Sequence, residues 1–247
     1  MDDLNTHLRN SGIGCVFNNM PINHLMYADD TCILAPSATG LQKLINICSK
    51  YAEKHTIVFN ESKTKCMCFK PRCMKSLQVP RVSLNGITLK WTTVNKYLGV
   101  ILDSNCKVDC DIRRHVKAIY TRGNMLTHKF RNCTDSVKIR LFKSYCNSIY
   151  GGVLWTKYKK PTLKKAKVAY NDMFRSLFNI RRGESISSIF VLNRIDSFDV
   201  IMRKAIYSFK QRLFNMSNCI IDTIINSNFF QDISGTLKHW NELLYVS

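Results

Sequence analysis

The sequence predicts an α+β protein, in which short β-hairpins around one helix are followed by an all-helical, strongly basic region. Up to about residue 105, short apolar stretches are separated by turn-forming pairs such as Asn85-Gly86, which is the pattern of successive hairpins. From Asp109 onward, apolar residues recur at the 3.6-residue spacing of amphipathic helices. The charge changes at the same place, because residues 104–183 carry 19 basic and only 4 acidic side chains. The 247 residues suffice for one large domain or two small ones.

The first part is predicted to contain hairpins and a single helix. Residues 12–36 are predicted as extended, with hairpin turns at Asn18-Asn19 and Asp29-Asp30. A helix is predicted after Pro36-Ser37, because the apolar residues that follow recur at helical spacing. These residues are Leu41, Leu44, Ile45, Cys48, Tyr51 and Ala52. Shorter extended segments are predicted at 56–60, 64–70, 82–90 and 97–102.

The second part is predicted to be helical. Its first helix is expected over residues 109–130, with one apolar stripe that begins at Ile112. A second helix, over 134–155, is expected after Thr134-Asp135-Ser136, which offers favourable N-terminal capping. The apolar face predicted for this helix consists of Val137, Leu141, Tyr145 and Ile149. Two more helices are predicted near 162–179 and 197–215, and the basic stretch 157–167 falls at the start of the first of these.

The composition is that of a folded protein. Hydrophobic residues make up 45% and charged residues 22% of the chain, which argues against intrinsic disorder. No apolar run approaches the roughly 18 residues that a membrane span requires, so we expect no membrane association. The first ten residues are polar and do not have the pattern of a secretory signal. We therefore expect an intracellular protein, located in the cytoplasm, the nucleus or both.

The basic charge indicates a polyanion as partner. The net charge is +20, and most of the excess lies in residues 104–183. Such a region repels itself unless a polyanion neutralises it, which favours nucleic acid as the partner over a merely solvated lysine-rich surface. The side chains predicted to contact nucleic acid are Arg113, Arg114, Lys117, Lys159, Lys160, Lys164 and Lys165.

The 11 cysteines are expected to be reduced and free of metal. Their number is odd, and an intracellular location disfavours disulfides. The alternative is a zinc-stabilised structural protein, with ligands drawn from Cys66-x-Cys68-x₄-Cys73 and Cys106-x₃-Cys110. Neither group has the Cys-x₂-Cys spacing of a compact zinc site, so the sequence disfavours this alternative.

The sequence Tyr27-Ala28-Asp29-Asp30 is the most specific local feature. Its two adjacent carboxylates are flanked by apolar residues, and between half-buried strands their repulsion would be about 4 kcal/mol. A divalent cation would offset it, and Mg²⁺ typically takes one or two carboxylates and completes its shell with water and phosphates. Two-metal phosphoryl transfer is the chemistry that follows. The alternative is a plain turn, because Asp-Asp is a common turn dipeptide.

The order of three motifs resembles the reverse transcriptases of non-LTR (LINE-type) retrotransposons. YADD on a strand-turn-strand is followed by an amphipathic helix, by Phe59-Asn60-x-Ser62-Lys63-Thr64, and by Lys96-Tyr97-Leu98-Gly99-Val100. In that family these segments are similar to motif C, the catalytic hairpin of the palm, to motif D, and to motif E, the primer grip. The resemblance implies a partial palm over 1–105 and a thumb with a C-terminal extension over 106–247.

The resemblance also implies roles for single residues. Asp29 resembles the principal metal-binding carboxylate and Asp30 its less stringent neighbour, whereas Tyr27 and Ala28 correspond to positions beside the primer end and the incoming nucleotide. Lys63 resembles the lysine that protonates the departing pyrophosphate, although a solvated lysine beside a turn would look the same. Tyr97, Leu98 and Gly99 would support the primer 3′ end. The implied partners are an RNA template, a DNA primer and a dNTP, with two Mg²⁺ ions as cofactor.

The family pattern is incomplete in this sequence. Only 28 residues precede Asp29, and they contain neither motif A, with its third carboxylate, nor motif B, nor the fingers. The segment Met1-Asp2-Asp3-Leu4 resembles the end of the helix that follows motif B and is no second catalytic motif. We therefore expect a fragment of an RNA-directed DNA polymerase that is inactive alone. The alternative is a non-catalytic, basic nucleic-acid-binding module.

Overall fold

A computed structural model describes residues 2–69, 79–231 and 235–245. It confirms the predicted α+β class, because short strand pairs and one long helix are followed by a region of helices. The chain forms two compact units, one of residues 1–95 with 218–227 and one of residues 96–217 with 228–247. The functional boundary predicted at residue 105 stays a prediction.

The elements follow one another in a simple order. The first are α1 (Asp2–Asn10), β1 (Cys15–Phe17), β2 (Met20–Ile22), β3 (His24–Tyr27), β4 (Asp30–Ile33), α2 (Ala38–Lys54), β5 (Lys65–Cys66), β6 (Ser83–Leu84), β7 (Ile87–Thr88), β8 (Lys90–Trp91), β9 (Val94–Tyr97) and β10 (Val100–Asp103). The helices that follow are α3 (Asp109–Lys129), α4 (Asp135–Cys146), α5 (Lys160–Phe178), α6 (Ile186–Leu192), α7 (Phe198–Phe214), α8 (Cys219–Ile225), α9 (Asn228–Gln231) and α10 (Thr236–Tyr245), with a 3₁₀ turn at Gly152–Leu154.

Within the described residues, the strands form five pairs and no larger sheet. Neighbouring strands pair as β1-β2, β3-β4, β6-β7 and β9-β10, and β5 pairs with β8 in parallel. In the first unit, α2 begins at the N-cap Ser37, whose hydroxyl accepts a hydrogen bond from the Gly40 amide at 3.1 Å. Its predicted apolar face is buried from Leu44 to Ala52. One side of α2 packs with α1 and β4, and the other side packs with β6.

The second unit is a packed set of helices. Helix α3 packs against α5, and Gly123 leaves room for the Met173 side chain, because a Cβ atom there would lie too close to the Met173 sulfur. Aromatic rings pack between α4 and α5. The centroid of the Phe142 ring lies 5.0 Å from that of Tyr170 and 5.1 Å from that of Phe174. Within the described residues no strand occurs after β10, and no helix is both long and apolar enough to cross a membrane.

Several expectations from the sequence are wrong. Residues 97–102 do not form one extended segment, because Leu98 and Gly99 form a turn between β9 and β10. Residues 56–60 form no strand, because the left-handed Thr56 (φ 56°) lets the Ile57 amide donate back to the carbonyl of Ala52 and so ends α2. Helix α4 ends at Cys146, well before residue 155, because Asn147, Ser148 and the following glycines are weak helix formers.

The buried face of α4 also differs from the predicted one. Val137 and Tyr145 are 41% and 44% exposed, whereas Phe142 and Cys146 are buried. The apolar face predicted from the four-residue spacing is therefore wrong. The orientation of α4 is set instead by the packing of the Phe142 ring against Tyr170. The helices predicted at 109–130, 162–179 and 197–215 are present within one or two residues of their predicted ends. Helices α6 and α8 to α10 were not predicted, and α1 extends to Asn10, beyond the segment 1–4 for which the resemblance implies a helix end.

Candidate functional site

The adjacent carboxylates lie at the tip of a tight hairpin. Strands β3 and β4 pair in antiparallel register with Tyr27 opposite Asp30, so Ala28 and Asp29 form a two-residue turn. The expected Asp29-Asp30 turn is thus shifted by one residue, and Asp30 begins β4. Ala28 has a φ of 51°, a left-handed conformation that is uncommon for a residue with a Cβ atom. Strained turn residues of this kind often occur at functional sites.

Both carboxylates are exposed to solvent. All four residues of the tip, 27–30, are exposed, and the Tyr27 side chain is 67% accessible. The repulsion between the carboxylates is therefore closer to its value in water, about 1 kcal/mol at 4 Å, than to the value expected for half-buried groups. Within the part of the chain that the structure describes, neither Asp29 nor Asp30 has a hydrogen-bonded or ion-paired side chain. Their oxygens are accessible to a ligand.

A buried asparagine that the sequence analysis did not single out anchors the base of this hairpin. Asn23 is 6% exposed, and its Nδ2 donates to the carbonyls of Leu8 (2.6 Å) and Ile13 (2.7 Å). Its own carbonyl accepts a 2.7 Å hydrogen bond from the Leu34 amide, just after β4. These bonds tie both ends of the hairpin to the end of α1. The sequence signal is weak, since Asn23 and His24 are two polar residues within an otherwise apolar stretch.

Lys63 lies in a compact turn that Asn60 organises. The Asn60 side-chain oxygen accepts hydrogen bonds from the Lys63 amide (3.0 Å) and the Ser62 hydroxyl (2.7 Å). The Asn60 carbonyl accepts from the amide and the hydroxyl of Thr64, at 3.0 and 2.8 Å. An asparagine at this place stabilises such a turn, which gives the Asn-x-x-Lys-Thr pattern a physical basis. The Lys63 side chain is exposed and belongs to the same unit as the carboxylate hairpin.

The turn Leu98-Gly99 joins β9 to β10, and Tyr150 holds it. Leu98 and Gly99 have φ values of 45° and 81°. The Tyr150 hydroxyl donates to the Leu98 carbonyl at 2.7 Å, and a Cβ atom at Gly99 would lie 2.8 Å from Cε1 of the Tyr150 ring. Glycine is therefore required at position 99 both by its backbone conformation and by this contact.

A fully buried aspartate supports the same hairpin. One oxygen of Asp111 accepts hydrogen bonds from the Ile101 amide (3.0 Å) and from Nε of Arg114 (2.7 Å), and the other accepts from Nε1 of Trp155 (2.9 Å). Burial alone would raise the pKa of Asp111, but these hydrogen bonds and the Arg114 charge hold it below its ordinary value. Sequence reasoning missed Asp111, because an aspartate in the first turn of a helix usually just complements the helix dipole.

The predicted nucleic-acid-binding residues lie on α3, on α5 and at the start of α5. Six of them are exposed, namely Arg113, Lys117, Lys159, Lys160, Lys164 and Lys165. Arg114 differs from them, because its guanidinium pairs with Asp111 and donates to the Tyr150 carbonyl at 3.3 Å. Its side chain is 26% accessible, so this arginine has a structural role that the sequence did not indicate.

The lysines of α5 crowd the N-terminal end of that helix. The first turn contains no acidic residue, and Lys159 and Lys160 lie at the positive end of the helix dipole, where a cation costs about 0.3–1 kcal/mol. The buried Asp109 on α3 partly offsets this charge, because it accepts hydrogen bonds from the Lys159 amide (3.1 Å) and from a threonine hydroxyl. The remaining positive potential favours an anion at this surface.

The carboxylate hairpin fits a partly protein-bound magnesium ion. Asp29 and Asp30 supply the number and type of ligands that Mg²⁺ usually takes from a protein, with water and phosphates as the others. No cluster of three or more metal-binding side chains occurs in residues 2–69, 79–231 and 235–245. The two carboxylates therefore suit an ion that shares its shell with a substrate or another segment better than they suit a closed site.

The cysteines of the zinc alternative are only partly described. Cys73 lies outside the described residues, and the cysteines within them form no disulfide. Burial raises the pKa of the Cys66 thiol, which disfavours the thiolate form that zinc binds.

Comparison with known proteins gives a family match that covers the turns of both hairpins. Residues 1–102 match the reverse transcriptase (RNA-dependent DNA polymerase) family. The matched range contains the Asp29-Asp30 hairpin, the Lys63 turn and the Leu98-Gly99 turn. The resemblance inferred from the motifs is thus confirmed for the reverse transcriptase domain. The assignment to the non-LTR type, and to palm and thumb, stays a prediction.

One similar protein comes from Drosophila melanogaster and is named probable RNA-directed DNA polymerase from transposon BS. It is 24% identical over 162 residues, which are 61% of this chain and 18% of the relative. The matched region thus spans less than a fifth of the length of that relative. No solved structure shows a significant match.

Proposed function

We propose that this chain is a part of an RNA-directed DNA polymerase of a non-LTR retrotransposon. In this proposal the first unit carries the catalytic hairpin of the palm, and the helical region serves as the thumb that holds the template–primer duplex. The observation that carries the proposal is a solvent-exposed pair of carboxylates at the tip of a two-residue hairpin, inside the range that matches the reverse transcriptase family. We place the protein in the cytoplasm or the nucleus, where its nucleic-acid partners would be.

Asp29 and Asp30 would hold Mg²⁺ together with the motif A carboxylate of the same polymerase. Bound Mg²⁺ would neutralise charge on the phosphates of the dNTP. The exposed Tyr27 and the small Ala28 would lie beside the primer end and the nucleotide. Lys63, held out to solvent by the Asn60 turn, would donate a proton to the departing pyrophosphate.

The basic residues of α3 and α5 would bind the phosphates of the duplex. The first turn of α5 contains no acidic residue that would offset the charge of its lysines. A bound polyanion would neutralise this charge. The same observation favours the second candidate function, a nucleic-acid-binding module without catalysis. The two candidates differ in what they require of Asp29.

Primer extension with a completed polymerase tests the catalytic proposal. The chain is joined to a related upstream half that supplies motif A, motif B and the fingers, and DNA synthesis on an RNA template is measured with Mg²⁺. Asp29→Asn should reduce the rate by several orders of magnitude, and Lys63→Ala by about 10²-fold or less. Asp3→Asn is the matched control, because Asp3 is an exposed aspartate of the same unit, and it should leave the rate unchanged. Normal synthesis by Asp29→Asn would refute the catalytic role.

A salt titration of duplex binding tests the thumb assignment in the chain alone. If about five basic side chains reach phosphates, log K should fall with log salt at a slope of roughly −4 to −5 on B-DNA. Reversing the charges of Lys159, Lys160, Lys164 and Lys165 should flatten this slope, whereas Asp29→Asn should not change it. In this proposal residues 1–247 alone do not extend a primer, because motif A with its third carboxylate, motif B and the fingers belong to another segment of the polymerase. Binding that does not depend on salt would contradict the thumb assignment.

A further inference from the structure

Tyr150 is an exposed residue with two specific contacts to the tip of the β9–β10 hairpin. Its side chain is 57% accessible, yet its hydroxyl donates to the Leu98 carbonyl at 2.7 Å and its ring fills the space beside Gly99. A contact this exposed buries little apolar area and adds little to the stability of the fold. Its main effect is therefore on the position and the mobility of the turn.

The backbone of this turn is strained, so outside contacts can affect its mobility. Leu98 has a φ of 45°, in the left-handed region that a side chain with a Cβ atom disfavours. Ala28 keeps a similar conformation at an exposed tip, so the Tyr150 contacts restrict the motion of the Leu98 turn and are not what makes its conformation possible. Tyr150 fixes the turn from outside, and Asp111 holds the following strand through the Ile101 amide.

Tyr150 is itself held in place by the helical part of the same unit. Its carbonyl accepts a hydrogen bond from Arg114, whose Nε is paired with the buried Asp111. The same aspartate accepts from Trp155, five residues beyond Tyr150. The segment 150–155 is therefore attached to Asp111 directly at Trp155 and through Arg114 at Tyr150, which restrains the backbone that carries the Tyr150 side chain.

We propose that Tyr150 is a positioning residue that holds the Tyr97–Gly99 turn in the conformation that receives the 3′ end of a nucleic-acid primer. This inference rests on the function proposed above, in which the turn supports the primer end. Tyr150 acts through the Leu98 carbonyl and the face of Gly99 and need not touch the nucleic acid. Arg114 and Asp111 are its supports.

Hydrogen exchange of the full chain without nucleic acid tests the physical part of the inference. Tyr150→Phe keeps the ring beside Gly99 and removes the bond to Leu98. Amide exchange at residues 97–100 should become about 2- to 12-fold faster, the factor that corresponds to one neutral hydrogen bond. Tyr207→Phe is the matched control, because Tyr207 is 55% exposed and its hydroxyl has no hydrogen-bond partner within the described ranges. Unchanged exchange in Tyr150→Phe would overturn the inference.

Photo-crosslinking tests the functional part. The full chain binds a duplex whose primer ends in 4-thiothymidine, and the crosslinked peptide is identified by mass spectrometry. The wild type should crosslink at residues 97–99, and Tyr150→Phe should lower this yield by a factor similar to the change in exchange. The Kd for the duplex should stay within about twofold, because Tyr150 contributes no phosphate contact.

The outcomes separate this inference from the proposed function. If the wild type gives no crosslink at 97–99, the turn does not receive the primer end, and both the proposed role of the turn and the inference fail. If the wild type crosslinks there and Tyr150→Phe gives the same yield, the proposed function stands and the positioning role of Tyr150 is overturned. A positioning role lowers the crosslinking yield more than it weakens duplex binding. If Tyr150→Phe lowers the yield only as much as it lowers binding, the positioning role is also overturned.

Discussion

The two hairpins that carry the candidate residues are alike in their turns and differ in what surrounds their tips. Each joins two four-residue strands through a two-residue turn, and each begins this turn with a strained residue, Ala28 at φ 51° and Leu98 at φ 45°. The tip of the first hairpin is exposed at all four residues, 27–30, whereas Tyr150 holds the tip of the second. The protein thus leaves its carboxylates open to a ligand and fixes the Leu98-Gly99 turn in advance.

The same contrast appears in the aspartates associated with the hairpins. Asp29 is exposed and its side chain has no partner among the described residues, whereas Asp111 is fully buried and accepts three hydrogen bonds. A carboxylate of the first kind contributes little to stability and is accessible to solvent. One of the second kind is structural.

The largest effect is expected from removing the buried aspartate. Asp111→Ala should lower the free energy of unfolding of the second unit by about 3–5 kcal/mol, because it leaves the Arg114 charge without its partner and two N–H donors without an acceptor. Asp29→Ala should change stability by less than about 0.5 kcal/mol. Denaturant unfolding, followed by tryptophan fluorescence and circular dichroism, measures both. Equal effects of the two substitutions would contradict the comparison.

How much of this could be predicted from the sequence depends on the range of the interactions. Helices α2, α3, α5 and α7 were predicted because their apolar stripes are local and long. The tip of the first hairpin was also predicted, to within one residue, because its turn residues and flanking strands are adjacent in the chain. The turn at Leu98-Gly99 was not, since residues 97–102 were predicted as one extended segment. The one-residue shift of the first turn follows from the register of the strand pair, in which Tyr27 lies opposite Asp30.

The parts that could not be predicted depend on distant contacts. The bond between Tyr150 and Leu98 joins residues 52 positions apart, and that between Trp155 and Asp111 joins residues 44 apart. Nothing in the local sequence of either partner indicates the other. The wrong face of α4 has the same origin, because rings on α5 select Phe142 over the residues of the predicted stripe.

A nearly as large effect is expected from pH. Burial, with the charges of Arg114 and Arg122, lowers the pKa of His115 to about 4. Between pH 6.5 and 4 the unfolded chain binds a proton at this residue and the folded chain does not, so stability falls as the pH falls through this window, by roughly 3 kcal/mol in total. The carboxyls of Asp109 and Asp111, whose pKa values are lowered, add losses only below about pH 4.

Unfolding at a series of pH values tests this prediction. His115→Leu should remove most of the loss of stability between pH 6.5 and 4, because the buried imidazole is gone. A smaller loss should remain, because burial also lowers the pKa of His24. His128→Gln is the control, since His128 is exposed on the same helix, and it should keep the wild-type dependence. A His115→Leu protein with an unchanged pH profile would show that another group controls it.

A smaller effect is expected from a methyl group at the fixed turn. Gly99→Ala should destabilise the protein by about 2–3 kcal/mol, because it adds a left-handed Cβ atom and displaces the Tyr150 ring with its hydrogen bond. Gly86→Ala is the matched control, since Gly86 has a φ of 80° and no atom within 4 Å of the added Cβ, and it should cost only about 1–2 kcal/mol. In a Tyr150→Ala background, Gly99→Ala should cost no more than Gly86→Ala. If Gly99→Ala still destabilises the Tyr150→Ala protein more than Gly86→Ala does, the contact with Tyr150 is not the cause of the difference.

The smallest effect is expected from placing asparagine at the first turn position of each tip, which is Ala28 in one hairpin and Leu98 in the other. Two other hairpins of this protein begin their turns with an asparagine, Asn18 at φ 43° and Asn85 at φ 49°. Ala28→Asn should therefore stabilise the first hairpin by about 0.5–1 kcal/mol, because asparagine tolerates the left-handed conformation and the exposed Ala28 buries no apolar area.

Leu98→Asn should give a net change near zero, because the relief of backbone strain is offset by the loss of a side chain that is only 37% exposed. Amide exchange within the two hairpins measures both variants. Ala28→Asn should slow exchange at residues 24–33, and Leu98→Asn should leave exchange at residues 94–103 unchanged. The difference tests whether the two tips differ in their surroundings or only in their turn sequences. Equal stabilisation at both positions would mean that the Leu98 side chain makes no net contribution, and that Tyr150 and Asp111 alone distinguish the second tip from the first.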